Sequence, residues 1–245
     1  MTAIRFKHFG RAAAAGLLLL LLVHGTAHAE EVNVKLPLER VTVSVDDDGF
    51  AKFGGSEVQY LSDTGEPAIP YMIVRIVLPP EADPATAVAA VKNRRFEEQP
   101  GTWQIRPTPT VATRIHGKEV VAWPAGRNFS EGKDPAIYEQ EGLFPRDPVA
   151  GVTSGKLRQW QIVEVAVAAF QYEPLTGRLY RLAKGKLVVN FRPKSTLLTG
   201  GETQALLADD VADDQVKRLT VNYAAMAPRY RGTLLAAQAA KARQG

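Results

Sequence analysis

The sequence predicts a mainly β fold of antiparallel strands with a helical C-terminal tail. From Val32 the apolar residues alternate with polar ones, as in Val41–Val45, and a period of two is typical of a half-buried strand. Gly-containing turns separate such runs, as in antiparallel hairpins. Beyond Pro193 the composition changes to Ala, Leu, Asp and Gln, which favours helix from about Thr203 to Leu219 and again from about Pro228 to Arg243. We therefore predict a β domain over 30–195 and a helical or partly disordered tail over 196–245.

The first half of the domain predicts a hairpin followed by a central strand. An Asp-Gly pair ends the segment 46–49 and supplies the positive φ angles of a tight turn, after which Phe50 begins the return strand. The run 71–78 is apolar and β-branched at nearly every position, which predicts a strand buried on both faces. Further strands are predicted near 57–61, 87–96, 103–106 and 111–115.

Two segments of the second half differ in character. Between Trp123 and Pro148 the apolar pattern gives way to Gly, Pro, Asn and charged residues, which predicts a long ordered loop of the kind that is often functional. Leu157–Tyr172 and Arg178–Phe191 predict one long hairpin closed by the Pro- and Gly-containing turn 173–177. In that hairpin Val163, Val165 and Val167 would lie opposite Leu187, Val189 and Phe191.

The N-terminus predicts a cleavable export signal. Basic residues precede an unbroken apolar run from Ala12 to Val23, and small residues return at 27–29. The run is twelve residues long, whereas a transmembrane helix needs roughly 20, so a retained anchor is disfavoured. We expect cleavage between Ala29 and Glu30, giving an exported, periplasmic or extracellular domain with no membrane contact after cleavage.

Charge and cysteine content exclude several classes of function. Of the 30 basic residues, Arg5, Lys7 and Arg11 would leave with the signal, so 27 face 26 acidic ones. A near-neutral domain lacks the basic patch that phosphate-backbone binding requires, and we expect no nucleic-acid partner. The sequence contains no cysteine, and His116 is the one histidine after the signal segment. Thiol nucleophiles, thiolate metal sites and two-histidine metal sites are therefore excluded.

Two further polar features favour structural interpretations. Asp46-x-Asp48-Gly49 resembles the start of a calcium loop, and Glu57 stands at its twelfth position, but Phe50 occupies a position that needs an oxygen ligand. A hairpin turn is therefore the better interpretation, and we predict no metal site. His116 precedes Gly117 at the end of a predicted strand, where a turn residue is a better interpretation than a catalytic one.

Four motifs, in order and spacing, resemble the propeptide domain of gingipain-type cysteine peptidases. They are Gly65-x-Pro67-x-Ile69-Pro70, Leu78-Pro79-Pro80, Phe144-Pro145 and Phe170-x-Tyr172-x-Pro174-x-Thr176-Gly177-x-Leu179. The resemblance covers about 150 residues, from Val41 to Phe191. It implies a β-sandwich or barrel-like domain that assists the folding of a peptidase and blocks its active site until it is removed.

The resemblance also implies a partner and an inhibitory loop. The family's catalytic Cys and His have no counterparts in this sequence, so we expect no enzymatic activity and no cofactor. The expected partner is the catalytic domain of a gingipain-type cysteine peptidase, inhibited by steric occlusion. Such propeptides block a pocket for basic side chains with an Arg or Lys on a loop, which points to Arg127, flanked by Gly126 and Asn128, and to Lys133. For Arg127, a solvated loop cation is the alternative.

Two other interpretations of the chain stay open. The first is a periplasmic or surface β-sandwich module that binds a different partner. The second is a truncated N-terminal part of a peptidase precursor.

Overall fold

The computed structural model describes residues 29–55, 58–110, 112–116, 118–121, 123–194 and 210–231. The segment 1–28 of the predicted signal lies outside them. The described strands are β1 (Glu30–Lys35), β2 (Val41–Val45), β3 (Ala51–Gly55), β4 (Val58–Tyr60), β5 (Pro70–Val77), β6 (Ala82–Glu98), β7 (Ala112–Ile115), β8 (Lys118–Val121), β9 (Val149–Leu157), β10 (Trp160–Ala168), β11 (Phe170–Glu173) and β12 (Arg178–Pro193). The helical segments are a 3₁₀ turn (Leu38–Arg40), α1 (Pro135–Tyr138), α2 (Asp210–Leu219) and residues 223–231.

Two antiparallel sheets form the body of the domain. In the first sheet β12 pairs with β1, β11 and β6, and in the second the order is β4-β5-β10-β9. The hairpins β2–β3 and β7–β8 each form a separate two-stranded sheet. Val74 and Val165 of the second sheet share one core with Leu187, Val189 and Phe191 of the first, each at most 1% exposed. The predicted mainly β, antiparallel sandwich is confirmed, and within the described residues the sheets stay open rather than closing into a barrel.

The long hairpin predicted over Leu157–Phe191 is wrong in its first arm. Strand β10 pairs with β5 and β9 in the second sheet, whereas β12 lies in the first. The chain changes sheets at Ala169, whose N–H donates to Pro70 O at 3.3 Å while its carbonyl accepts from Leu182 N at 2.9 Å. The valines of β10 therefore belong to a different sheet from β12 and meet its apolar residues in the shared core. Only β11 and β12 form the predicted hairpin.

The turn of that hairpin requires glycine at residue 177. Gly177 has φ +69°, and its N–H donates to Glu173 O at 2.9 Å. A Cβ at this position would lie 2.5 Å from Thr102 Cγ2. Both backbone conformation and space therefore disfavour a larger residue, which accounts for the glycine of the Thr176-Gly177 pair in the sequence motif.

The segment 103–106, predicted as a strand, forms no ladder. Its backbone hydrogen bonds go to three separate places: Trp103 N donates to Gly177 O, Ala51 N donates to Gln104 O, and Ala68 N donates to Arg106 O, at 2.7–3.0 Å. Because no two of these partners belong to one strand, the segment does not join a sheet. The other predicted strands are present with shifted ends, and that at 87–96 is the middle of the longer β6.

The described part of the tail packs against the second sheet. Val216, Ala227 and Tyr230 form an apolar cluster with Val77 and Trp160 of strands β5 and β10. Helix α2 covers residues 210–219 of the helix predicted over 203–219, and the next helix begins at residue 223 rather than near 228. Residues 203–209 and 232–243 of the two predicted helices lie outside the described residues. Among the described residues no helix is long and apolar enough to cross a membrane.

Strand β4 pairs only with the first residues of β5. The backbone groups farther along β5 bind residues 221–222, which connect the two helices. The side-chain amide of Asn222 accepts from Val77 N at 2.8 Å and donates to Val77 O at 2.9 Å. Next to it, Val221 N donates to Arg75 O at 3.0 Å. These contacts satisfy strand-edge groups that would otherwise be available to another chain. The described helices are thus anchored to the β domain by hydrogen bonds as well as by apolar packing.

Tyr71 makes the stability of the fold sensitive to alkaline pH. Its side chain is buried in the core, and burial, with a smaller contribution from the charge of Glu66, raises its pKa to about 12, against roughly 10 in an unfolded chain. The raised pKa favours the neutral phenol in the fold, so its contribution is complete below pH 10 and is lost as the pH rises through 12. We expect wild-type stability in urea to fall relative to Tyr71→Phe between these pH values. Parallel curves for the two proteins would contradict this.

Candidate functional site

The loop between β8 and β9 contains a tight, hydrogen-bonded turn. Ser130 N donates to Lys133 O at 2.9 Å, and Lys133 N donates to Ser130 O at 2.8 Å. Between them, Glu131 and Gly132 have φ angles of +50° and +76°. Two positive φ angles at the central positions are the signature of a type I′ hairpin turn, which defines the backbone geometry of residues 130–133. The predicted ordered loop is confirmed for residues 123–148, with the addition of the single-turn helix α1.

Gly65 anchors this turn to the body of the domain. Its carbonyl accepts from Asp134 N at 3.0 Å, and its own N–H donates to Thr108 O at 2.9 Å. Gly65 has φ +83°, and a Cβ there would lie 2.5 Å from the ring of Phe129. The first glycine of the Gly65-x-Pro67 motif therefore leaves room for the aromatic ring of the loop.

Arg127 forms an ion pair with Asp134 inside the loop. One carboxylate oxygen of Asp134 accepts from Arg127 Nη2, and the other accepts from Ala136 N at 2.9 Å as the N-cap of α1. The side chain of Asp134 is only 6% exposed, whereas that of Arg127 is 36% exposed. The hydrogen bond to Asp134 raises the pKa of Arg127, so the guanidinium stays charged.

An aromatic pair lies beside the arginine. The rings of Trp123 and Phe129 are 4.7 Å apart, and the guanidinium carbon of Arg127 lies 5.7 Å from the centre of the Phe129 ring. Trp123 is 45% exposed. Together with polar neighbours these residues line an open cleft of about 570 Å³ formed by Trp123, Arg127, Asn128, Phe129, Glu131 and Gly132. Large exposed aromatic and Arg side chains are enriched at protein interfaces.

Lys133 is held more weakly than Arg127. Its ammonium lies 5.4 Å from the centre of the Tyr138 ring, and no carboxylate within the described residues forms a salt bridge with it. Burial raises the pKa of Tyr138, whose hydroxyl donates to Ile105 O at 3.4 Å. The structure therefore brings both predicted basic residues into the same loop, with a carboxylate partner for Arg127 and an aromatic one for Lys133.

The other polar candidates have structural partners. Both Asp46 and Asp48 accept from the guanidinium of Arg106, at 3.0 and 2.6 Å, and the second oxygen of Asp46 accepts from Phe50 N at 2.8 Å. The hydrogen bond to Arg106 is the main cause that lowers the pKa of Asp46. The hairpin-turn interpretation is thus confirmed. His116, with φ +49°, forms the turn between β7 and β8. The described residues contain no cluster of three or more His, Cys, Asp or Glu that could hold a metal ion.

Two of the sequence motifs meet at the base of the loop. Phe144 and Tyr172 exchange both backbone hydrogen bonds, each at 2.7 Å, and the Tyr172 hydroxyl donates to Trp103 O at 3.1 Å. Burial raises the pKa of that hydroxyl. The return of the loop is thereby bonded to the β11–β12 hairpin of the sandwich.

Fold and loop together define a cysteine-free β-sandwich domain that presents an ordered, partly basic loop. Residues 32–226 match the family model described as Propeptide_C25. The chain belongs to this family, the non-catalytic propeptide domains of gingipain-type cysteine peptidases. The family resemblance indicated by the four motifs is confirmed. The matched region is longer than the resemblance at both ends, and at its C-terminal end it includes α2.

The solved structures to which this chain is similar include two from gingipains. One belongs to the "Complex of Porphyromonas gingivalis RgpB pro- and mature domains", with 16% identity, 81% of this chain and 95% of that chain covered, and a TM-score of 0.49. The other comes from a study of the "zymogenic latency of gingipain K from Porphyromonas gingivalis", with 18% identity, coverage of 67% and 100%, and a TM-score of 0.44. No curated protein matches the chain significantly.

Proposed function

We propose that this domain inhibits the catalytic domain of a gingipain-type cysteine peptidase by steric occlusion, and that it also assists the folding of that domain. Membership of the propeptide family supports a peptidase partner. The N-terminal apolar segment, flanked by basic and small residues, supports export to the periplasm or beyond.

The observation that carries the proposal is the pre-formed loop that bears Arg127. Its turn is closed by two backbone hydrogen bonds, and Asp134 N bonds it to Gly65 of the domain body. A loop fixed before binding loses little conformational entropy when a partner contacts it, which favours tight inhibition. Arg127 lies in this loop with more than a third of its side chain exposed. We infer that Arg127 enters a pocket specific for basic residues, with Lys133 as the alternative in the same loop.

The test is an inhibition assay with the purified domain beginning at Glu30. We expect inhibition of a gingipain-type peptidase of basic specificity at micromolar concentration or below. The control is Val165→Asp, which places a carboxylate at a fully buried position; we expect this variant to be unfolded and not to inhibit. Trypsin, which shares the basic specificity but not the peptidase class, is assayed in parallel. A domain that merely competes as a cleavable substrate would slow trypsin as well, whereas a specific inhibitor would leave it active. A folded domain that leaves every such peptidase fully active would contradict the proposal and favour a β-sandwich module with another partner.

A further inference from the structure

The charge of Arg127 already has a partner within the domain. Asp134 accepts its hydrogen bond with one carboxylate oxygen and caps α1 with the other. Several backbone bonds fix Asp134 in place: its N–H donates to Gly65 O, and its carbonyl accepts from Ile137 N and Tyr138 N, each at 3.0 Å. Asp134 therefore cannot follow the arginine side chain when that side chain moves.

An arginine that enters a partner's pocket must leave this carboxylate. Arg127 is 36% exposed and Asp134 is 6% exposed, so extension into a partner separates the two charges and leaves a buried carboxylate unpaired. Separating a charged pair with a buried member has a cost. That cost is subtracted from the affinity of the domain for its peptidase.

We propose that Asp134 competes with the peptidase for Arg127 and thereby weakens and sets the strength of inhibition. The inference rests on the proposed function, because it concerns the same arginine. Asp134 supplies within the domain the ligand that a basic-specific pocket supplies in the complex, a carboxylate facing a guanidinium. A propeptide with such an internal competitor binds less tightly than its contacts allow, which favours its release once the chain is cleaved.

The test removes the negative charge of residue 134 and keeps the hydrogen bond with which its side chain caps α1. In Asp134→Asn the side-chain oxygen can still accept from Ala136 N, and Asn is as good an N-cap as Asp. We expect the inhibition constant to fall about tenfold, which corresponds to about 1.4 kcal/mol. Asp134→Ser, a second N-cap too short to reach the guanidinium, should tighten inhibition as well. In the Arg127→Ala background neither substitution should produce a gain.

The outcomes separate the two proposals. A wild-type domain that does not inhibit contradicts the proposed function, and the competition inference falls with it. Where the wild type inhibits, equal or weaker inhibition by folded Asp134→Asn and Asp134→Ser overturns the competition. Equal inhibition means that the ion pair does not oppose binding, and weaker inhibition means that Asp134 holds Arg127 in the binding orientation. The ¹³C resonance of the Asp134 carboxylate in the wild type gives an independent answer. It should shift when the peptidase binds, and a resonance unchanged in the complex overturns the inference.

Discussion

Replacing Val165 with Asp is expected to unfold the domain. Val165 is fully buried in β10, between β5 and β9, with Val74 and Val152 as its cross-strand partners. The substitution removes apolar contacts and places a carboxylate where no partner is available. Such a change costs several kcal/mol, against total domain stabilities of about 5–15 kcal/mol. Circular dichroism at 25 °C should show loss of the β signal, and no cooperative thermal transition should remain.

Val88 provides the matched control. It also lies in a strand, β6, but is 61% exposed, so Val88→Asp should change the free energy of unfolding by no more than about 0.5 kcal/mol. If Val165→Asp kept the wild-type thermal midpoint, the side chain could not face the core, and the register of β10 against β5 would have to differ by one residue.

The parts of the fold that depend on local sequence were predictable. The turn 46–49 follows from an Asp-Gly pair, and the burial of most residues of β5 on both faces follows from an apolar run with no alternation. The change of sheets at Ala169 could not be predicted from the sequence. The alternating pattern of β10 and β12 is the same whether the two strands are neighbours in one sheet or face each other across a core. Only the non-local partners of Ala169, Pro70 and Leu182, distinguish the two arrangements.

The candidate site shows the same division. The family resemblance pointed to Arg127 and Lys133, and the structure places both in one ordered loop. The sequence pair Asp134-Pro135 is a helix-start signal, an N-cap followed by proline at the first helical position, so α1 could have been found. The contact between Asp134 and Arg127 could not, because it depends on a turn anchored by Gly65, which is distant in sequence.

The largest functional effect is expected from Arg127→Ala. A planar guanidinium can bond bidentately to a carboxylate at the base of a specificity pocket, a geometry that lysine matches less well and alanine not at all. Losing this contact in a desolvated interface should cost roughly 2–5 kcal/mol, or about 30-fold to several thousand-fold in the inhibition constant. Arg127→Lys, which keeps the charge without the planar fork, should fall between alanine and the wild type.

Lys133→Ala is the matched control, since Lys133 lies in the same loop over the ring of Tyr138. Its loss removes a cation–π contact worth about 0.5–1 kcal/mol at an exposed site, so inhibition should change by less than tenfold. Thermal midpoints of all variants must be compared, because Arg127→Ala also leaves the buried Asp134 without its partner. If both alanine variants stay folded and only Lys133→Ala loses inhibition, the inhibitory residue is Lys133, and Arg127 instead stabilises the loop through its ion pair with Asp134.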